Sequence, residues 1–413
     1  MAKILTIIPY HFYPPENGGT LRCFHILRAM AQEHQLFLIT SQHKRDFEKS
    51  NGTMFPSNIQ LISTRDSAIN NFRFLPKRLT DAISFRVLTR TLLERTNSYF
   101  LESYPIVLRA LAEIKPDIVY FENLEALGFF STLTKKMNPR ALRIYDAHNV
   151  DSELWSRLAK VNNNPNLDKY ALGSLKAEKK LNASTDFIFT CSQVDLDKLN
   201  ELNNGKLAAV VIPNGVDYDN KIFDSSPNKH LFNKIIFCGD LTTHANKEGV
   251  LWFYYEVFPL LLKLKPNLKF NIIGHFSNKR DYQALLNDDA VNFEGPVRSV
   301  IPYYMRSSIA IVPLLSGSGT RLKILEAMSM GNPVVSTAIG AEGIDCTNGK
   351  DILICDDPSA FANQIVLLLN DQTRFEEIRN NAADLVSRKY QWKQIGHDVN
   401  VILNRLVSMT KNG

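Results

Sequence analysis

The sequence predicts an α/β protein of two doubly wound, parallel-sheet (Rossmann-like) domains. Three observations carry that reading. The chain has 413 residues, more than one core ordinarily serves at ~100–200 residues per domain. Short apolar runs alternate with helical patterns along its length. Those runs lack the polar alternation of half-exposed strands, which implies parallel strands covered on both faces. The alternation stops once, in the polar stretch after Pro213-Asn214-Gly215 that runs through His230, and then restarts.

Element by element, Lys3–Pro9 reads as the first strand, Tyr10–Gly19 as a turn-rich loop, Leu21–Glu33 as a helix and Leu36–Thr40 as the next strand. Strands are predicted over Asp117–Phe121, Leu142–Tyr145, Asp186–Thr190 and Ala208–Ile212, with helices over Ile106–Ile114 and Ala171–Leu181. In the second half, strands read at Lys234–Cys238, Lys269–Ile273, Ile309–Pro313, Pro333–Ser336 and Ile352–Cys355. Helices there read at Glu248–Leu264, Arg280–Leu286, Arg321–Met330 and Ala360–Leu369, and a last one at about Trp392–Leu406. The linker falls near Asn214–Leu231. Open parallel sheets take ligands beyond the carboxyl ends of their strands, so two such domains facing each other would hold a cleft between them.

Composition narrows the class. At 45% hydrophobic, 22% charged and 10% aromatic residues, the chain is neither disordered nor a disulfide scaffold. The longest apolar stretch, Val250–Leu264, is interrupted by Glu256, Pro259 and Lys263, and falls short of the ~18 residues of a membrane span. Cys23, Cys191, Cys238, Cys346 and Cys355 form no C-x-x-C pair, which excludes a zinc ribbon or dithiol motif. The start is too short an apolar run for a signal peptide, so a cytoplasmic protein is expected. The net charge is +6, and Arg73, Lys77, Arg78, Arg86, Arg90 and Arg95 stand against Asp81 and Glu94 in one segment. Such a local excess suits an anionic partner at one place, not a chain that coats nucleic acid. A solvated helix face explains it equally well.

Three loops after predicted strands could carry chemistry. The run Gly317-Ser318-Gly319-Thr320-Arg321-Leu322-Lys323-Ile324-Leu325-Glu326 opens a helix. Glycines let backbone amides approach a ligand, and a helix N-terminus suits phosphate. Cations there oppose the helix dipole unless an anion joins them. Arg321 and Lys323 would hold a diphosphate, and Glu326, one turn on, could accept from ribose hydroxyls. The alternative is a surface Lys–Glu pair beside a loop. The second loop, Pro14-Pro15-Glu16-Asn17-Gly18-Gly19, offers a weaker backbone cradle that Arg22 would reinforce; a long turn is the plain reading. The third, Asp146-Ala147-His148-Asn149, puts His148 at a strand's carboxyl end, to meet a sugar or simply to pair with Asp146. Glu122 is a further candidate. Asp195–Asp197 and Asp217–Asp219 match D-x-D, but neither follows a core strand, so no metal site is expected.

The order of these segments resembles the family 4 glycosyltransferases, retaining nucleotide-sugar enzymes of the GT-B fold. The matching pieces are P-P-E-N-G-G-T-L-R, D-A-H-N-V-D-S-E, V-I-P-N-G-V-D, F-C-G-D-L…N-K-E-G-V-L-W-F, I-I-G-H, F-E-G-P-V and G-S-G-T-R-L-K-I-L-E-A-M-S-M-G-N-P-V-V-S-T. The resemblance implies an N-terminal acceptor-side domain over 1–214, joined by a C-terminal helix at about 392–413, and a donor-binding domain over 215–391. It implies that Gly18 and Gly19 approach the donor diphosphate and that His148 contacts the transferred sugar. Arg321 and Lys323 would neutralise the diphosphate within the loop 317–320, Glu326 would bind ribose, and His275 and Val297 would border the base. The family's first glutamate falls at Ser318 and is absent; its usual arginine is Asp240, whose charge Arg321 would replace.

The donor would be UDP- or GDP-linked and serve as substrate, with no cofactor and no metal. The acceptor would be a saccharide or a lipid-linked one, with Glu122, Arg86 and Arg90 on its side. The mixed basic and apolar segment 71–95 also suits an anionic membrane, at the inner face of the plasma membrane. A non-hydrolysing nucleotide-sugar epimerase, or a catalytically weak binding protein, are the rival readings.

Overall fold

In the computed structural model of the chain, the structure describes residues 1–43, 45, 47, 58–65, 98–219, 223, 232–317, 319 and 321–412. Ser318, Thr320 and the basic segment 71–95, with Arg86 and Arg90, lie outside the described residues. The chain divides into two compact units, Met1–Pro213 with Ile395–Gly413, and Asn214–Gln394.

The first unit carries seven parallel strands: β1 (Lys3–Ile8), β2 (Gln35–Thr40), β3 (Ile59–Ser63), β4 (Ile118–Phe121), β5 (Leu142–Ala147), β6 (Phe187–Thr190) and β7 (Ala209–Val211). Their order is β3-β2-β1-β4-β5-β6-β7. The chain therefore leaves β1 toward one edge and returns at β4 toward the other, which makes the β1/β4 boundary the switch point where loops splay apart. Strand β4 is buried at all four positions, as expected of a strand covered on both faces. The helix Gly18–Glu33 after β1 starts on a capping box, in which Asn17 accepts from the Thr20 amide and Thr20 answers through its hydroxyl. It buries Cys23, Ile26, Leu27 and Met30, the helical spacing of one apolar face.

The second unit repeats the plan with β8 (Lys234–Cys238), β9 (Lys269–Ile273), β10 (Val291–Glu294), β11 (Ile309–Val312), β12 (Val334–Ser336) and β13 (Leu353–Ile354), in the order β10-β9-β8-β11-β12-β13. Its switch point lies between β8 and β11. The single helix expected over Glu248–Leu264 is three pieces: an α-helix His244–Trp252, a π-helical turn Phe253–Val257 and an α-helix Phe258–Leu264. Pro259 has no N–H to continue the ladder, and the wider turn before it absorbs the misfit. The last helix, Trp392–Asn412, crosses from the second unit to the first, where Asn400 donates to the Ala29 carbonyl at 2.8 Å. Among the described residues no helix is long and apolar enough to cross a membrane.

Candidate active-site clusters

Each unit gathers its chemical residues at the carboxyl ends of its strands. In the first, the helix cap serves the amides of Thr20 and Leu21, so the amides of Gly18 and Gly19 form the end that a helix presents to an anion. His148 follows β5 and faces Gly19: a Cβ there would lie 3.4 Å from its Nδ1. Its Nε2 lies 3.2 Å from Glu122 Oε2 and 3.6 Å from Asp146 Oδ2. Glu122 directly follows β4 and Asp146 lies in β5, so the register of neighbouring parallel strands brings the two carboxyls to one edge.

Arg22 departs from expectation. It does not reinforce the glycine cradle. Its side chain is fully buried, its Nη2 lies 2.6 Å from Asp146 Oδ1, and its Nη1 donates to the Ile212 carbonyl at 2.6 Å. The Tyr120 hydroxyl donates to Asp146 Oδ2 at 2.8 Å. Burial alone would raise the Asp146 pKa, but the Arg22 charge overrides it and holds the carboxyl well below its usual range. Burial opposes the His148 cation, yet hydrogen bonds and charges from Asp146 and Glu122 raise its pKa to about 9. His148 is thus a donor at neutral pH, able to meet an oxygen of a sugar but unable to act as a base there. Glu122 is raised by burial, against the pull of His148. Asp151, at the start of the helix Asp151–Asn162, is raised to about 7 by burial and by the charge of Glu178; it lies inside the quoted D-A-H-N-V-D-S-E segment but was given no role there.

Glu122, Asp146 and His148 bring potential metal-ligand atoms within 4.8 Å of one another. Both Asp146 oxygens already accept hydrogen bonds, and the Arg22 guanidinium beside them repels a cation. The donor set fits an ion-pair network better than a metal.

In the second unit the loop after β11 leads into the helix Leu322–Ser329, with Arg321 at its N-cap. Gly317 and Gly319 have φ of +110° and +78°, a backbone region open to glycine. A Cβ on Gly317 would come within 2.8 Å of the Arg321 guanidinium. Lys323 reaches back over β8: its Nζ donates to Asn246 Oδ1 at 2.6 Å and sits 4.4 Å above the centre of the Phe237 ring. A Cβ on Gly239 would meet that Nζ at 2.7 Å, and one on Gly274 would overlap the Gly239 carbonyl. Backbone approach requires Gly274, whereas a side chain at Gly239 would displace the Lys323 ammonium; the sequence reading assigned neither a role. Burial and the neighbouring Arg321 charge lower the Lys323 pKa to about 7. Burial raises Glu326.

Asn246 was also missed, although it lies inside the quoted N-K-E-G segment. It joins Lys323 to the turn after β8 by donating to the Asp240 carbonyl at 2.7 Å. Asp240 itself turns back to bind the amide and hydroxyl of Thr242. His275 is exposed, 3.9 Å from Asp240, and Val297 packs at the edge of the core. Of the two D-x-D pairs, Asp195 is the partner of its N-cap Ser192, as a cap requires.

Residues 232–371 match the family model described as "Glycosyl transferases group 1". An uncharacterised 44.6 kDa protein in the cps region of Klebsiella pneumoniae is 24% identical, over 96% of this chain and 98% of its own. The crystal structure of Anabaena HepE with UDP and glucose aligns with a TM-score of 0.63 at 14% identity, over 98% of this chain and all of the other. Sucrose-phosphate synthase of Thermosynechococcus elongatus aligns with a TM-score of 0.69 at 15% identity, over 99% and 100%. The two parallel-sheet units therefore have the GT-B fold. The family match and the shared fold support a glycosyltransferase.

Proposed function

We propose that this protein is a retaining glycosyltransferase. It moves a sugar from a UDP- or GDP-linked donor to a saccharide or lipid-linked acceptor in bacterial surface-polysaccharide or glycolipid assembly. The carrying observation is the cluster Gly239, Asn246, Arg321, Lys323 and Glu326 at the second unit's switch point, inside the segment that matches the group 1 model. A nucleotide-linked sugar departs as an oxocarbenium-like species while negative charge grows on the phosphate. Fixed cations and helix amides aimed at that charge lower the barrier more than a base would. Arg321 and Lys323 take that role, Glu326 reads the ribose, and His148 donates to the sugar. These groups supply the charge without a metal. A uridine-linked donor is supported by Anabaena HepE, a protein of similar fold whose crystal structures hold UDP with glucose and UDP-glucose.

The full chain incubated with a panel of nucleotide sugars and candidate acceptors tests the proposal. Transfer with retention of the anomeric configuration, read by NMR of the product, is expected; an inverted product would overturn the retaining mechanism. Activity should survive chelation. Loss with EDTA and rescue by magnesium or manganese would reopen a metal route. We place the protein at the cytoplasmic face of the membrane, through the segment holding Arg86 and Arg90. Reversing both to glutamate should release it from anionic vesicles at low salt, and unchanged sedimentation would exclude that contact.

A further inference from the structure

A cavity of about 750 Å³ opens in the first unit beside His148 and Glu122, larger than those two side chains need. Two of its walls carry a glycine inside a helix: Gly128 in Leu124–Met137 and Gly173 in Pro165–Glu178. Glycine is a poor residue for a helix interior. It is normally kept there for close packing, but a Cβ at either position would meet nothing within 4 Å. No neighbour among the described residues accounts for the missing side chains; each helix leaves open space there. Around Gly173 the lining has two further characters. Trp155 and Tyr170 lie with ring centroids 5.7 Å apart, a partly exposed aromatic wall of the kind that receives the apolar face of a sugar ring. Lys169 and Lys176, in the helix of Gly173, and Lys180, just beyond its end, line the same cavity, all three exposed and none in an ion pair among the described residues, while the carboxyls Glu122, Glu125 and Asp151 line it from other elements.

We propose that this cavity is the acceptor subsite and that it selects a saccharide carrying an anionic group. The sugar ring lies against Trp155 and Tyr170, the phosphate or carboxylate meets Lys169, Lys176 and Lys180, and the inner end reaches His148. The assignment rests on the glycosyl-transfer reading above and adds the chemical class of the acceptor. Phosphate and carboxylate sugars share the recognition chemistry, and separate probes tell them apart.

The test uses the full chain saturated with UDP or GDP, whichever binds, so that the donor's own phosphate site is filled. Glucose 1-phosphate, glucuronate and glucose are titrated by saturation-transfer NMR. At least one anionic probe should bind tenfold or more tightly than glucose, and which one does identifies phosphate or carboxylate. Gly128→Leu with Gly173→Leu should weaken that probe at least tenfold while nucleotide affinity holds and Tm stays or rises, since leucine is the better helix former. Lys169→Gln with Lys176→Gln and Lys180→Gln should erase the preference for the charged sugar. Failure of UDP and GDP alike to bind would sink the glycosyl-transfer reading. Intact nucleotide binding with charged-sugar affinity indifferent to the glycine variants, or equal to that of glucose, overturns the acceptor assignment.

Discussion

The two units hold their central cations on opposite electrostatic plans. In the first, His148 stands between two buried carboxyls, Glu122 and Asp146, and its charge is favoured until about pH 9. In the second, Lys323 is half-buried beside Arg321, with Glu326 offsetting it in part, and its charge fades near pH 7. One centre has its counter-ions built in. The other has a shortage of negative charge that an incoming diphosphate would make good. A network complete within the fold serves stability as well as chemistry; an incomplete one serves a ligand, at some cost to the fold.

The sharpest way to break this contrast is to remove one member of the buried pair. Asp146→Asn leaves the Arg22 guanidinium buried without its charge partner, and breaking such pairs costs about 3–5 kcal/mol. Thermal unfolding should show a large fall in Tm; a Tm within a degree or two of wild type would mean the network is dispensable. Lys323→Met should do the reverse. Nucleoside-diphosphate affinity should drop by a factor that corresponds to ~1.5–3 kcal/mol for a lost charge-assisted contact, while stability holds or improves. Calorimetric titration and unfolding together check both halves. Arg321→Ala and Lys323→Ala binding donor as wild type does would end the clamp assignment.

The pH dependences sharpen the comparison, with opposite signs. Lys323 has a folded pKa below its unfolded one, so an anionic donor must recharge it. Affinity for a nucleotide sugar should weaken as pH rises above about 7, with proton uptake on binding that disappears in Lys323→Met. His148 has a folded pKa raised to about 9, so its stabilising pair is fully formed below pH ~6.5 and lost as pH rises through about 9. His148→Gln should flatten that alkaline loss; an unchanged curve would assign it elsewhere. The smallest effect is expected at the ribose. If Glu326 reads the ribose, wild type should prefer ribonucleotides to deoxy analogues and Glu326→Gln should narrow that preference; an unchanged ratio removes Glu326 from sugar recognition.

Much of this was legible in the residues, for definite reasons. Strands buried on both faces, such as β8 and β9, announce themselves as apolar runs, and their predicted bounds stand. The strands that escaped, β3 and β10, end their sheets and expose alternate residues, so IQLIS and VNFE carry no continuous run. The helices Asp151–Asn162 and Gln372–Lys389 were also missed, although the second carries Phe375, Ile378, Ala382, Leu385 and Val386 at the spacing of one buried face, set among many charged residues. Arg321, Lys323 and Glu326 stand within six positions of sequence, where spacing speaks. Arg22 and Asp146 are 124 residues apart, and only the sheet order brings them together. Asn246 meets Lys323 for the same reason, across the switch point of the second sheet.

The returning helix has a consequence for biosynthesis. Residues Ile395–Gly413 belong to the first unit although they follow the second in the chain. Gly396 packs so closely on Ala29 that a Cβ would come within 2.6 Å of the alanine's, and Val399 and Leu403 are fully buried. The second unit is a single uninterrupted stretch and can close as it leaves the ribosome. The earlier-made unit must wait with part of its surface uncovered until the segment Ile395–Gly413 has followed the second unit out. Vectorial synthesis therefore completes the two units in the reverse of their written order, and a truncation before Ile395 would injure the domain that was translated first.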